Sequence, residues 1–150
     1  MRDLKAGSSI KSTAALIGSF FEQSTILIVQ HNAAGSLGFV INKHFGKSLN
    51  DLVEYKHCKP FPLMDGGPVD RDHLFVLHKR PDLIDGGELI TDSLYLGGNM
   101  EQVTEAIHSK GVDEDEIQLF IGYCGWDTGE LEAELAEGSW EMSNYLPIAN

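Results

Sequence analysis

The segment with the most chemical potential is Gly122-Tyr123-Cys124-Gly125-Trp126, in which a thiol lies between two large aromatic rings. Two glycines three positions apart allow a sharp turn or a close backbone approach. Cys124 is the candidate nucleophile, because a helix that starts nearby could lower the pKa of its thiol. Tyr123 and Trp126 could line a pocket, or they could wedge a strand against a helix. We favour the wedge and assign no catalytic residue.

An acidic helix is predicted directly after this segment. Asp127 is its expected N-cap, Glu130 stands at the capping-box position, and Gly138 offers a left-handed end. Leu131 and Leu135 would form its buried stripe, since side chains four residues apart share one face of a helix.

Glu132 is the acidic residue of this helix that we expect to have a structural role. It falls on the flank of the buried stripe, whereas Glu134 is expected on the solvated side. A carboxylate at such a flank needs hydrogen-bond donors. The nearest candidates are the Trp126 indole, the Tyr123 hydroxyl and backbone N–H groups near Gly122. We therefore predict that Glu132 locks the turn to the helix, with a ligand-binding or catalytic carboxylate as the alternative.

Two other glycine segments could bind phosphate, but an ordinary turn explains each of them. Gly46-Lys47-Ser48 lacks the first glycine of a phosphate loop, because Ile41 stands at that position. Gly97-Gly98 precedes a helix and could hold an anion there, although a tight connection accounts for it equally well.

No metal site is predicted. His73 and His78 are five residues apart in an expected strand, so their side chains point to opposite faces. The acidic run at 113–116 lacks the glycine and spacing of a calcium loop. With no ligand set at a recognised spacing, we expect neither a metal nor a cofactor.

Composition indicates one soluble domain covering residues 1–150. Hydrophobic residues make up 42% of the chain, which is enough for one core. Cys58 and Cys124 form no recognised framework, and the amino terminus has no signal-peptide pattern, so a reducing cytoplasm is expected. No apolar run reaches the roughly 18 residues that span a bilayer. The net charge of −12 disfavours direct nucleic-acid binding.

Hairpins dominate the predicted secondary structure, which favours an α+β fold. The run at 117–121 is apolar on both faces and therefore predicts a strand covered from both sides. Asn99 and Gln102 predict a helix, and Ser48 begins a shorter one. The other expected strands are 25–30, 36–42, 61–64, 73–78, 93–96 and 140–145. The first 23 or so residues are left unassigned.

Several of these stretches resemble the YqgE/AlgH family of bacterial proteins over about residues 24–140. The matching pieces are His31-Asn32 with Gly35, 38–42, 66–69, 74–78, Gly97-Gly98, 122–126, 129–132 and Trp140. This sequence departs from the family at Glu130, where glutamine is usual, and at Cys124, where a small residue is common. The resemblance implies a β-barrel-like or bifurcated mixed sheet flanked by short helices. It implies no established activity, and the family's label of transcriptional regulator rests on genetics rather than on a DNA-binding motif.

The preferred hypothesis is a cytoplasmic binding or regulatory protein that is not an enzyme. The alternative is a small hydrolase or ligand-processing enzyme that uses a cleft beside Gly122 to Trp126, and a weaker one is a direct DNA-binding regulator. The partner is an unidentified protein or small molecule, with no nucleic acid and no membrane, and the oligomeric state is left open. The candidate cleft residues are Gly66, Gly67, His78, Gly122, Tyr123, Trp126 and Glu132.

Overall fold

The computed structural model describes residues 4–143, which contain ten strands and two α-helices. The strands are β1 (Ser9–Ser12), β2 (Thr25–Asn32), β3 (Gly35–Val40), β4 (His44–Ser48), β5 (Pro62–Asp65), β6 (Val69–His78), β7 (Glu88–Thr91), β8 (Leu94–Leu96), β9 (Ile117–Asp127) and β10 (Trp140–Ser143). The helices are α1 (Met100–Ser109) and α2 (Glu130–Ala136). No helix in this part of the chain is long and apolar enough to cross a membrane.

Strand β9 is the centre of the sheet and the place where it divides. The strand order is β10-β1-β2-β3-β9-β6-β8-β7, and β4 joins through β5. β6 pairs antiparallel along one edge of β9, from Ile117 to Tyr123. The other edge is used first by β5, in parallel, and then by β3, antiparallel, near Cys124. The result is an open, bifurcated mixed sheet with two helices, which confirms the predicted α+β class.

The core follows from the alternation of side chains along β9. Ile117, Leu119 and Ile121 face one apolar cluster, which α1 covers, whereas Phe120 faces a second cluster. All four are at most 4% exposed, so the strand is covered from both sides as predicted. A third cluster lies under α2 and includes Leu131.

Of the two alternatives for Gly122 to Trp126, the sharp turn is wrong, because β9 continues through this segment to Asp127, whereas the close backbone approach is found at Gly122. Gly122 has a φ of +75°, which bends the strand without ending it. Beyond the bend, Cys124 and Trp126 pair with Gly38 and Ser36 of β3. The chain therefore does not reverse at Gly122, and the strand that pairs with this edge of β9 changes there from β5 to β3.

The hairpin of β2 and β3 is confirmed, and several other boundaries differ from expectation. β4 and β7 were not predicted, and β1 forms in the unassigned amino-terminal part. The short helix after Ser48 is two 3₁₀ turns, Leu49–Asp51 and Val53–Tyr55. Of the last predicted strand, β10 covers Trp140–Ser143, and the rest lies outside the described residues.

Helix caps are partly as predicted. The Asn99 side chain accepts a hydrogen bond from the Gln102 backbone N–H, which confirms the N-cap of α1. The N-cap of α2 is Gly129, with φ +78°, rather than Asp127. Glu130 still closes this end, because its Oε1 accepts from the Asp127 backbone N–H at 3.1 Å.

Candidate functional site

Gly66, Gly67 and Gly122 meet at the point where the chain leaves β5 and crosses β9. The Gly66 N–H donates to the Ile121 carbonyl at 2.8 Å, and the Gly66 carbonyl accepts from Val40 at 2.9 Å. A Cβ on Gly67 would lie 2.2 Å from the Tyr123 carbonyl carbon and oxygen. One on Gly122 would lie 2.3 Å from the Gly67 carbonyl oxygen. These three glycines therefore let two backbone segments touch, and we call this contact the glycine junction.

An open groove lies beside the junction, on the strands that carry Tyr123 and Trp126. We call it the Tyr123 groove, and its volume is about 410 Å³. Its apolar lining includes Leu37, Tyr123 and Val69, which is 40% exposed. The polar lining consists mainly of Gln30, Asn32, Ser36 and Asp127. Of the eleven lining residues only Tyr123 and Asp127 carry ionisable side chains, and the others offer apolar and neutral polar surface for contact.

Trp126 has a structural role, but its acceptor is Glu134 rather than the expected Glu132. Its Nε1 donates to Glu134 Oε1 at 3.0 Å, and the Trp140 Nε1 donates to the same oxygen at 2.9 Å. The two rings meet edge to face at 6.2 Å. Glu134 therefore ties α2 to β9 and β10.

The prediction for Glu132 is wrong, because its side chain is 53% exposed and accepts nothing from Trp126 or Tyr123. Three residues along a helix turn through about 300°, so Glu134 lies only about 60° from the buried Leu131. Glu134 is therefore partly buried, and the prediction that it lies on the solvated side is wrong. Glu132 is instead 3.5 Å from His31, between its Oε2 and the imidazole Nε2.

His31 also contacts Ser36, which completes a row of serine, histidine and carboxylate. Its Nδ1 lies 2.6 Å from Ser36 Oγ, and the two residues pair directly across the β2–β3 hairpin. The order is that of a hydrolytic triad, but the ring presents Nδ1 rather than Nε2 to the hydroxyl. Ser36 lines the Tyr123 groove but is only 5% exposed, so its hydroxyl offers little surface to a substrate. Sequence reasoning missed this row, although hairpin register alone would have paired His31 with Ser36.

His78 lies away from the Tyr123 groove, at the end of β6. It is fully buried and stacks on Tyr95, with ring centroids 5.6 Å apart. Its Nδ1 accepts from the Arg80 backbone N–H, which leaves Nε2 to donate to the Gly97 carbonyl at 3.1 Å. Burial lowers the pKa of His78, so the neutral ring is the folded form.

This burial predicts a pH-dependent stability that depends on His78. Because the folded pKa lies below the ordinary value of 6.5, the contribution of the neutral ring is complete above 6.5 and is lost as the pH falls below it. In urea unfolding, we expect His78→Gln to be less stable than the wild type near pH 7.5, with a gap that narrows toward about pH 5.5. His57→Gln is the control at an exposed position. A gap that is constant or widens toward acid would contradict this prediction.

Cys124 is a buried thiol, which weighs against the candidate nucleophile that the sequence offered. It is 1% exposed, and its Sγ lies 3.4 Å from the Gly66 carbonyl oxygen, to which the thiol donates. Burial raises the pKa of the Cys124 thiol to about 12, so almost no thiolate forms near neutral pH.

Thiol labelling should separate the two cysteines, both of which are free. We expect the partly exposed Cys58 to react with a thiol reagent in the folded protein, and Cys124 to react only after denaturation. A time course of labelling by mass spectrometry, with Cys58→Ser as the control, measures this. Rapid labelling of Cys124 under native conditions would show that its burial is not maintained in solution.

Within residues 4–143, no group of three or more His, Cys, Asp and Glu side chains is arranged to hold a metal ion. Of the predicted site residues, Gly66, Gly67 and Gly122 form the junction, and Tyr123 faces the groove. Trp126 contributes to the groove and to the Glu134 contact. The remaining two, His78 and Glu132, are not among the residues that line the groove.

Comparison with known proteins agrees with the fold. A UPF0301 protein of Chlorobium luteolum is 38% identical over 144 residues, covering 96% of this chain and 76% of that protein. A UPF0301 protein of Bacteroides thetaiotaomicron is 35% identical over 138 residues, or 91% and 70% of the two chains.

Two solved structures are similar in fold. The solution structure of the AlgH protein from Pseudomonas aeruginosa has a TM-score of 0.76 at 26% identity, covering 98% of this chain and 82% of that one. A crystal structure of a Corynebacterium diphtheriae protein has a TM-score of 0.77 at 22% identity, covering 97% and 78%. The model of the AlgH-like family matches residues 9–147. The chain therefore belongs to the AlgH-like family.

Proposed function

We propose that this protein is a cytoplasmic binding protein with a regulatory role, and that it recognises a protein partner through the Tyr123 groove. The observation that carries the proposal is the character of this groove. It is open, about 410 Å³ in volume, and combines apolar side chains, of which Val69 is 40% exposed, with the amides of Gln30 and Asn32 and the carboxylate of Asp127. Protein contacts typically pair apolar centres with polar rims of this kind.

The net charge supports a regulatory role that acts through a protein partner, and the free cysteines support the cytoplasmic location. A net charge of −12 opposes direct contact with nucleic acid, so a regulatory effect would pass through a protein partner. Two free cysteines suit a reducing compartment such as the cytoplasm. In a binding assay at physiological salt, the purified protein should therefore not bind its own promoter region specifically.

A matched pair of valines tests the groove. Val69 lines the groove and is 40% exposed, whereas Val53 is 84% exposed and lies outside it. Wild type, Val69→Glu and Val53→Glu would each be immobilised and exposed to native cytoplasm, followed by mass spectrometry and reconstitution with the purified partner. We expect the partner to bind the wild type and Val53→Glu but not Val69→Glu. If the partner still binds Val69→Glu, this groove is not its binding surface. If no partner binds the wild type saturably, the proposal is contradicted.

A second candidate function is hydrolysis, and the row of Ser36, His31 and Glu132 is the observation that favours it. The buried hydroxyl and the exposed carboxylate both weigh against this function. Turnover of a panel of activated esters by the wild type and Ser36→Ala distinguishes the candidates. If both proteins turn over the esters only at the background rate, the result supports the binding function. Turnover by the wild type that Ser36→Ala abolishes would establish that the protein is a hydrolase.

A further inference from the structure

A second cleft lies between two irregular strand pairings and is separate from the Tyr123 groove. The pairing of β4 with β5 is irregular between His44 and Ser48, and that of β6 with β9 between Val69 and Leu74. Asp70 adopts a φ of +57° within the second irregularity. Such bulges redirect side chains out of the regular sheet pattern. We call the space between them the Arg71 cleft, and its volume is about 390 Å³.

The floor of the Arg71 cleft is apolar and its near wall is aromatic. Leu74 and Ile121 pair across β6 and β9 and form the floor. Phe45 and Tyr55 line the wall, and both pack against the core cluster that contains Ile121. Burial is the largest cause that raises the pKa of Tyr55. The cleft therefore combines an apolar floor with an aromatic wall, and its volume lies in the size range of small-ligand sites.

Two basic residues that line the cleft are already paired with carboxylates. Arg71 donates to both carboxylate oxygens of Asp65 and to the Gly67 carbonyl, and its guanidinium lies 5.5 Å from the Phe45 ring centre. His73 lies 2.5 Å from Asp70 through its Nδ1. Both side chains are held in place without a ligand, which is the pre-organisation that a small-molecule site requires.

Four polar groups around the cleft remain available. Lys47, Glu54, Asp72 and the Tyr55 hydroxyl line it, and no hydrogen bond or ion pair joins any of them to another residue within 4–143, although the charges of Glu54 and Asp72 help to raise the pKa of His73. They carry one positive charge and two negative charges. A phosphate would face the carboxylates of Glu54 and Asp72 as well as those that hold Arg71 and His73, so a simple anion is disfavoured. A ligand with both signs of charge would satisfy the set.

We propose that the Arg71 cleft binds a small zwitterion that carries an ammonium group, a carboxylate and an apolar side chain, as free amino acids and short peptides do. Glu54 and Asp72 receive the ammonium group, and Lys47 with the Tyr55 hydroxyl receives the carboxylate. The apolar side chain lies on Phe45 and the floor. None of these residues lines the Tyr123 groove, so the proposal for this cleft does not depend on the proposal that the groove binds a protein partner.

Calorimetry with four probes tests the ligand chemistry. L-phenylalanine and the dipeptide leucylphenylalanine carry both charges and distinguish a free amino acid from a peptide. Phenylpropionate lacks the ammonium group, and phenethylamine lacks the carboxylate. We expect saturable binding of at least one zwitterion at about 1 mM or below, and binding of each single-charge probe at least about fivefold weaker. Absence of saturable binding by both zwitterions, or equal binding of a single-charge probe, would overturn the proposal.

Charge-removing variants locate the site. Lys47→Met and Glu54→Gln should each weaken zwitterion binding by about fivefold, as expected when one partly exposed charge contact is removed. Lys110→Met and Glu105→Gln are matched controls at exposed positions outside the cleft and should bind as the wild type does. Thermal unfolding of every variant establishes that it is folded. Binding that Lys47→Met and Glu54→Gln leave unchanged would place the zwitterion elsewhere and contradict the assignment.

Discussion

Alanine at position 122 is expected to lower the free energy of unfolding by more than about 4 kcal/mol, or to prevent folding altogether. The new Cβ would lie 2.3 Å from the Gly67 carbonyl oxygen and 3.0 Å from that of Val69. Both obstacles are backbone atoms, which cannot rotate away as the end of a side chain can. The φ of +75° adds the conformational cost of a left-handed residue that carries a Cβ.

Gly129 provides the matched control for this substitution. It has a similar φ of +78°, but nothing lies within 4 Å of its added Cβ. Gly129→Ala should therefore show the conformational cost alone, about 1 to 2 kcal/mol. Urea unfolding monitored by circular dichroism measures both variants, and soluble expression provides the comparison if Gly122→Ala does not fold. Equal losses for the two variants would show that the glycine junction is looser than the contact distances indicate.

The parts of the fold that could be predicted are those determined by local pattern. The apolar run at 117–121 and the hairpin of β2 and β3 carry their signals in consecutive residues, and both are confirmed. β4 and β7 were missed because they are short and largely exposed, so little in their own sequence distinguishes them from loops. Their pairing with β5 and β8 decides their conformation, and that information is non-local.

Gly122 shows how a correct local observation can give the wrong element. The glycine was taken to allow a sharp turn or a close backbone approach, and Gly122 does adopt a positive φ. The continued pairing of β9 with β3, from Cys124 to Asp127, keeps the chain extended instead. Only the position of β3 distinguishes a bend from a turn, and the residues near Gly122 do not encode that position.

The candidate site was predictable only in part, because much of it depends on pairing between strands that are distant in the sequence. Tyr123 and Trp126 were proposed as residues that could line a pocket, and both line the Tyr123 groove. The Arg71 cleft depends on two register shifts in separate strand pairs, which no spacing in the sequence reveals. His31 and Ser36 are an intermediate case, since hairpin register would have placed them opposite each other.

Glu134 is expected to be the acidic residue of α2 whose loss matters most. Trp126 and Trp140 are 8% and 2% exposed, and both indoles donate to its Oε1. Glu134→Ala leaves two buried donors unpaired, so the free energy of unfolding should fall by about 2 to 4 kcal/mol. Glu134→Gln keeps an acceptor oxygen and should lose about half as much.

Glu132→Ala is the matched comparison, because it removes the same atoms from another position of the same short helix. Its carboxylate is 53% exposed and makes one long contact with His31, so the loss should stay within about 0.5 kcal/mol. Thermal unfolding of the three variants, with tryptophan fluorescence as the readout, reports on the two indoles directly. Equal losses of stability for Glu132→Ala and Glu134→Ala would mean that helix propensity and charge, rather than the hydrogen bonds to the two indoles, determine the effect of both substitutions. A loss confined to Glu134→Ala would mean that one shared oxygen fixes α2 against the end of β9, and with it the strand that forms the Tyr123 groove.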